Sequence, residues 1–177
     1  MTIKERFEPE EWEFLSYYPA MVGAAMSAAG KSGITGTMKE MFASSSAYHH
    51  GAERFPHDEL VSTIGKREDT SMSDREWIEG LQRHVRQYFE DRGARKPHDL
   101  IDLVLEDAPR LNKLLDKKAP ESSFSYKTWL LDIAEQVARA AKEGGFLGFG
   151  AVEFSDGESE FMDRLIDTLG MHGTSTG

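Results

Sequence analysis

Ala28-Ala29-Gly30-Lys31-Ser32-Gly33-Ile34-Thr35-Gly36 returns as Ala140-Ala141-Lys142-Glu143-Gly144-Gly145-Phe146-Leu147-Gly148, with nothing inserted or deleted inside the copy. Each copy ends a long amphipathic stretch and precedes a segment able to restart a helix, so the unit reads as helix, glycine turn, helix. The glycines force the stop. One glycine inside a helix costs about 1 kcal/mol against alanine, so Gly144, Gly145, Gly148 and Gly150 together oppose continuation by roughly 3 to 4 kcal/mol. The alanine pair before each stop lets another backbone approach closely, and Ile34 and Phe146 after it are placed to fold back as apolar plugs in a Schellman-type ending.

Upstream of the first copy, Glu10 to Ala29 carries Trp12, Leu15, Tyr18, Val22 and Met26 at helical spacing, one apolar face interrupted by Pro19. Proline lacks an N–H and crowds the preceding turn, so a kink or a split into two helices is expected there. Thr37-Met38-Lys39-Glu40 is a capping box that opens a helix to about His50. Pro56-His57-Asp58-Glu59 and Pro97-His98-Asp99-Leu100 each put a proline in a first helical turn ahead of acids that suit the helix dipole. Ser73-Asp74-Arg75-Glu76 caps the helix of Trp77, Leu81, Val85 and Phe89, which Gly93 closes. Pro109 is expected to separate Leu100–Glu106 from Leu111–Lys117.

Tyr126 to Lys142 is the longest uninterrupted helical pattern, with Trp129, Leu130, Ile133 and Val137 on its inner side. Ser155-Asp156-Gly157-Glu158 caps a last helix that ends at Gly170. The only alternating run, Phe149 to Phe154, is short and contains glycine, which makes an extended arm at most. The fold class is therefore all-α, a bundle of about eight helices with an internal pseudo-repeat. Residues 1–170 form one helical domain, with related halves at 9–67 and 73–170, and 171–177 is a tail.

The chain's 177 residues can bury roughly 70% of their unfolded surface. The absence of cysteine removes disulfides, thiolate metal sites and thiol nucleophiles. The first residues, Met1 to Glu11, show no basic region leading into an apolar run, so no secretory signal is expected. Ala20 to Ala29, the most apolar stretch, covers about ten of the roughly 20 residues that a membrane span needs. A cytoplasmic protein without membrane contact follows. A net charge of -10 repels nucleic acid and anionic lipid at long range. The basic residues between Arg83 and Lys118 are interleaved with acids, as on a solvated helix surface.

Candidate sites are few. Ala25 to Ser32 fits a relaxed phosphate-binding loop, but a helical face leads into it where a strand is needed, and the second copy replaces Lys31 and Ser32 with Glu143 and Gly144. Ser44-Ser45-Ser46 beside His49 lacks a nucleophile elbow. His49 and Glu53 share a helical face, but two donors do not complete a zinc site. His57 with Asp58 reads as a helix end, His84 and His98 as surface or boundary positions, and His172 as tail. Asp156-Gly157-Glu158-Ser159-Glu160 with Asp167 suggests half a calcium loop, but Phe161 stands where the loop needs glycine. Asp156, Glu160, Asp163 and Asp167 fall on one exposed stripe opposite Phe161 and Leu165.

The run from Ala140 to Gly150, followed by Ser155 to Glu160, resembles a group of uncharacterised microbial helical proteins. More distantly it resembles the tellurite-resistance TerB-like fold, an all-helical fold of two related halves with acidic metal-contacting residues. That resemblance implies Asp156, Glu158 and Glu160 as metal-contacting positions. The first half, with Gly30-Lys31-Ser32-Gly33, has no acidic counterpart. The expectation is a non-enzymatic helical protein acting by association with itself, as a homo-oligomer, or with a protein partner, in a stress response and without a cofactor. The alternative is a TerB-like module that binds a divalent cation; a second alternative is an enzyme whose reaction the residues do not name.

Overall fold

The computed structural model describes residues 1–30, 51, 53–66, 73–143 and 154–173. Six α-helices run through the described residues: α1 (Pro9–Ala29), α2 (Glu59–Gly65), α3 (Asp74–Asp91), α4 (Pro97–Lys118), α5 (Ser123–Glu143) and α6 (Asp156–Leu169). Short 3-10 turns at Lys4–Arg6 and Pro120–Ser122 complete them, and no strand occurs among the described residues. The all-α bundle thus stands, with six helices there in place of about eight. The capping box at Thr37, the helix expected to His50 and most of the Phe149 to Phe154 run lie outside the described residues.

Part of the lower count comes from Pro109, which does not divide its helix: α4 is continuous through it. Val104, Leu105, Ala108, Leu111, Leu114 and Leu115 form one buried face across the proline, and splitting the helix would break that face. Pro109 itself is exposed, so the carbonyl left without a donor, that of Leu105, lies on the side that water reaches.

Pro19 is likewise inside a continuous helix, but it is buried. Water cannot serve the Leu15 carbonyl that loses its i+4 donor there. The Tyr126 hydroxyl from α5 donates to that carbonyl at 2.6 Å, a tertiary replacement for the missing backbone bond. Tyr126→Phe is therefore expected to cost about 1–3 kcal/mol in urea unfolding. In a Pro19→Ala background, where residue 19 regains its N–H, the cost should shrink by at least about 0.5 kcal/mol. Equal costs in both backgrounds would show that the tyrosine does not replace the missing donor.

α1 is the central element, packed against α3, α4, α5 and α6. Its first half has the expected apolar face, but from Tyr18 to Ser27 every residue is buried. A helix that is apolar all round is covered all round. Trp129 and Tyr126 meet edge to face beneath it, with ring centroids 5.8 Å apart. The chain start also joins the core. Ile3 and Phe7 are buried, the Ile3 amide donates to Glu59 Oε1 at 2.9 Å, and Arg6 bridges to Glu121.

Local signals set most helix ends. Ser73 and Ser155 form the expected capping boxes, and Gly93 and Gly170 take φ of 80° and 69° after α3 and α6. Pro56 does not open α2. Asp58 caps it instead, accepting the Val61 amide at 3.0 Å, so the helix starts at Glu59. Gly30, which follows α1, is extended, with φ −71° and ψ 161°. Residues 31–36 and 144–148, which carry the two turns, lie outside the described residues.

Candidate functional site

The acids singled out in the sequence fall on opposite sides of α6. Asp156, at its first position, and Glu160 are exposed, while Glu158 is buried. Residues two apart on a helix point in nearly opposite directions, so the three cannot converge. Among the described residues no three His, Asp or Glu side chains are grouped so as to hold a metal ion. Glu158 acts locally, accepting the Ser155 amide at 2.7 Å while its own amide meets Ser155 Oγ. The stripe of Asp156, Glu160, Asp163 and Asp167 is exposed as expected, opposite buried Phe161, Leu165 and Leu169. Arg164 bridges it to Asp102 of α4 at 3.5 Å, and His172 lies 3.3 Å from Asp167.

What α6 contributes to the core is a close junction with α1. Gly157 lies against the Ala29 carbonyl so tightly that a Cβ there would overlap the oxygen. A Cβ on Gly30 would stand 3.1 Å from Glu158 Oε1 and 3.5 Å from the Ser27 carbonyl. Nearby in α1, Ser27 is buried, and its hydroxyl has no hydrogen-bond partner among the described residues. The close approach anticipated at Ala28-Ala29 is thus made by the start of α6. The amide-bearing end of one helix meets the carbonyl end of another, a favourable dipole arrangement.

A second polar cluster, buried at Asp107 and open to solvent at Arg92, lies between α1, α3 and α4. Asp107, buried in α4, accepts a hydrogen bond from the Tyr88 hydroxyl and lies 3.3 Å from Arg92 Nη1. Burial chiefly, and then the Asp107 carboxylate, push the Tyr88 phenol up to about 12 against the opposing pull of Arg92 and Arg110. Tyr18 is raised too, mainly by burial, and donates to the Val104 carbonyl at 2.6 Å. Phenols held protonated in this way are donors at neutral pH, and here they pin α1 and α3 to α4. Arg110 stacks over Phe14 at 4.3 Å, and Lys118 pairs with Glu11, so part of the basic run is committed to internal contacts.

The remaining histidines have modest surroundings. His84 stacks on Tyr17 with centroids 4.5 Å apart, and its Nδ1 is 3.0 Å from the Gly80 carbonyl. His98 lies 3.1 Å from Asp99, and His57 is exposed beside the cap of α2. Lys31, Ser32, Ser44, Ser45, Ser46, His49 and His50 lie outside the described residues. The lead into Lys31 is the end of α1, not a strand.

The feature the sequence reading missed is a cleft of about 590 Å³ alongside α5. Trp129 and Gly51 lie at its base, so close that a Cβ on Gly51 would overlap the indole. Asp132, Glu135, Gln136 and Arg139 line it from successive turns of α5. Arg54 crosses to Asp132, and Arg139 pairs with Glu135 along the helix. Burial pushes the Asp132 carboxyl above its ordinary range, while Arg54 pulls it back and Glu135 adds to the rise. The i, i+3, i+4, i+7 spacing of these polar residues was visible in the sequence. It reads as an ordinary wet helix face until Gly51, Glu53 and Arg54 are placed across it. Comparison with protein-family models, with curated proteins and with solved structures finds no match for this chain.

Proposed function

We propose that the protein is a non-enzymatic helical module that works by association, with itself or with a protein partner. One observation carries the reading: Phe124, on the outer face of α5, is 59% exposed in a chain whose other large apolar side chains are, Met1 apart, buried or half-buried among the described residues. The same face continues through Thr128 and half-buried Leu131 to the cleft at Asp132 and Glu135. An exposed aromatic beside a polar-rimmed cleft has the makeup of an interface anchor. The TerB-like resemblance adds a stress-response setting. No helix among the described residues is long and apolar enough to cross a membrane.

Light scattering across a concentration series, together with capture from cell extract, tests this reading with wild type and Phe124→Ser. The expected result is a mass above one chain, or a retained partner, that Phe124→Ser reduces. A single-chain mass at every concentration, with no Phe124-dependent partner, would overturn it.

The cation-binding alternative is supported by a narrower observation. Glu158 Oε1 and the Ser27 carbonyl both border the space that Gly30 leaves without a side chain, and hard cations take carboxylate and carbonyl oxygens. Of the three acids proposed, only Glu158 fits this place. Titration with calcium, magnesium or zinc should then raise the melting temperature of wild type and leave Glu158→Gln unmoved. Glutamine at this position can retain the capping box. No shift at millimolar metal would sink this reading.

A further inference from the structure

The first residues of the chain connect two elements that are far apart in sequence. Ile3 is buried, and its amide donates to Glu59 Oε1 at 2.9 Å, which seats it at the first turn of α2. Arg6 reaches the other way. It bridges to Glu121 in the 3-10 turn, and its Nη1 donates to the Lys118 carbonyl, at the end of α4, at 3.4 Å. Phe7 is buried beside Trp12, with ring centroids 6.0 Å apart. Residues 3–7 thus form a strap from the start of α2 to the end of α4.

The core of the bundle does not depend on α2. Helices α1, α4, α5 and α6 each touch the other three, whereas α2 rests mainly on α5 and the Pro120–Ser122 turn, with Leu60, Val61 and Ile64 buried. A displacement of α2 would, however, carry further along the chain. The Asp58 carboxylate accepts the Val61 amide, the Asp58 amide donates to the Phe55 carbonyl at 3.1 Å, and the Phe55 amide donates to the Gly51 carbonyl at 2.9 Å. Gly51 lies against the Trp129 indole and Arg54 crosses to Asp132, so these bonds run from the strap to the wall of the cleft.

We propose that residues 3–7 are a latch on the cleft. While Ile3 and Arg6 hold, α2 and the wall at Gly51 and Arg54 stay closed over Trp129. When the strap lets go, α2 and that wall leave α5 as one unit, and α1, α4, α5 and α6 stay packed. The burial of Leu60, Val61 and Ile64 keeps the open form a minor population, as for other sub-global openings.

Hydrogen exchange resolved by residue tests this on the full chain, with wild type, Arg6→Ala, Glu59→Ala and the double variant. The amide of Phe55 reports the wall, and those of Ser62 and Lys66 report α2. A hydrogen bond to a charged group is strong enough to shift an opening equilibrium about tenfold, so all three amides should exchange about tenfold faster in either single variant. Amides in the middle of α1 and α4 should keep their wild-type rates, which also shows that the variants are folded. Because one strap is cut in both cases, the double variant should exchange little faster than the faster single one. Multiplied effects would make Arg6 and Glu59 two separate contacts and overturn the latch. It is equally overturned if the three amides keep their wild-type rates, if every helix accelerates alike, or if Ser62 and Lys66 accelerate without Phe55.

Discussion

Gly157→Ala should lower stability by about 3 kcal/mol, the upper end for inserting a methyl group into a packed site. For a domain of this size the melting temperature should fall by roughly 6–12 °C. The new Cβ would overlap the Ala29 carbonyl, which is backbone in the last turn of α1 and cannot rotate away as a side chain can. Alanine's better helix propensity offsets at most about 1 kcal/mol of this. Gly80→Ala is the internal control. Gly80 also lies within a helix, α3, but its nearest neighbour would be Arg83 Nη2 at 3.9 Å, so only the propensity term acts. That substitution should stabilise by about 0.4–1 kcal/mol. If both changes stabilise the protein in urea unfolding, α1 and α6 do not meet through Gly157.

Gly51→Ala should be comparably damaging, at about 2–3 kcal/mol, because its Cβ would enter the indole of Trp129. Trp129 is 1% exposed and wedged against Tyr126, so the ring has nowhere to turn. The sharper expectation is in the double mutant. Trp129→Ala alone should cost about 3–5 kcal/mol through the cavity it opens. Once that cavity exists, Gly51→Ala should cost little, giving a coupling energy of about 1–3 kcal/mol. Strict additivity would mean that residue 51 does not rest on Trp129, and the base of the cleft would need another description.

Where a feature depends on neighbours in the chain, it was legible. Ser73 with Glu76 and Ser155 with Glu158 are capping boxes whatever packs on them, because their bonds close within one turn. Gly93 and Gly170 end helices for a similarly local reason, their positive φ. The stripe of Asp156, Glu160, Asp163 and Asp167 followed from helical periodicity alone. Pro109 was misread because a local rule assigned a break where a buried apolar face outweighed the lost hydrogen bond. The burial of Ile3 could not be read at all, since the Glu59 carboxylate that holds its amide lies far along the chain.

The candidate site divides in the same way. The residues of the α5 face were in view at their helical spacing, but no local signal sets Arg54 beside Asp132 or Gly51 against Trp129. The repeated alanine–glycine run correctly announced a helix stop and a close approach at Ala29. It was silent on what approaches. Sequence alone determined the helical class, most helix ends and the exposed acidic stripe, because these arise from contacts within about one turn of backbone. Only tertiary packing decided that Tyr126 serves the carbonyl freed by Pro19, that Glu158 faces inward beside Gly30, and that a cleft opens over Trp129. Each of these joins residues remote in the chain, and burial supplies the free energy that brings them together.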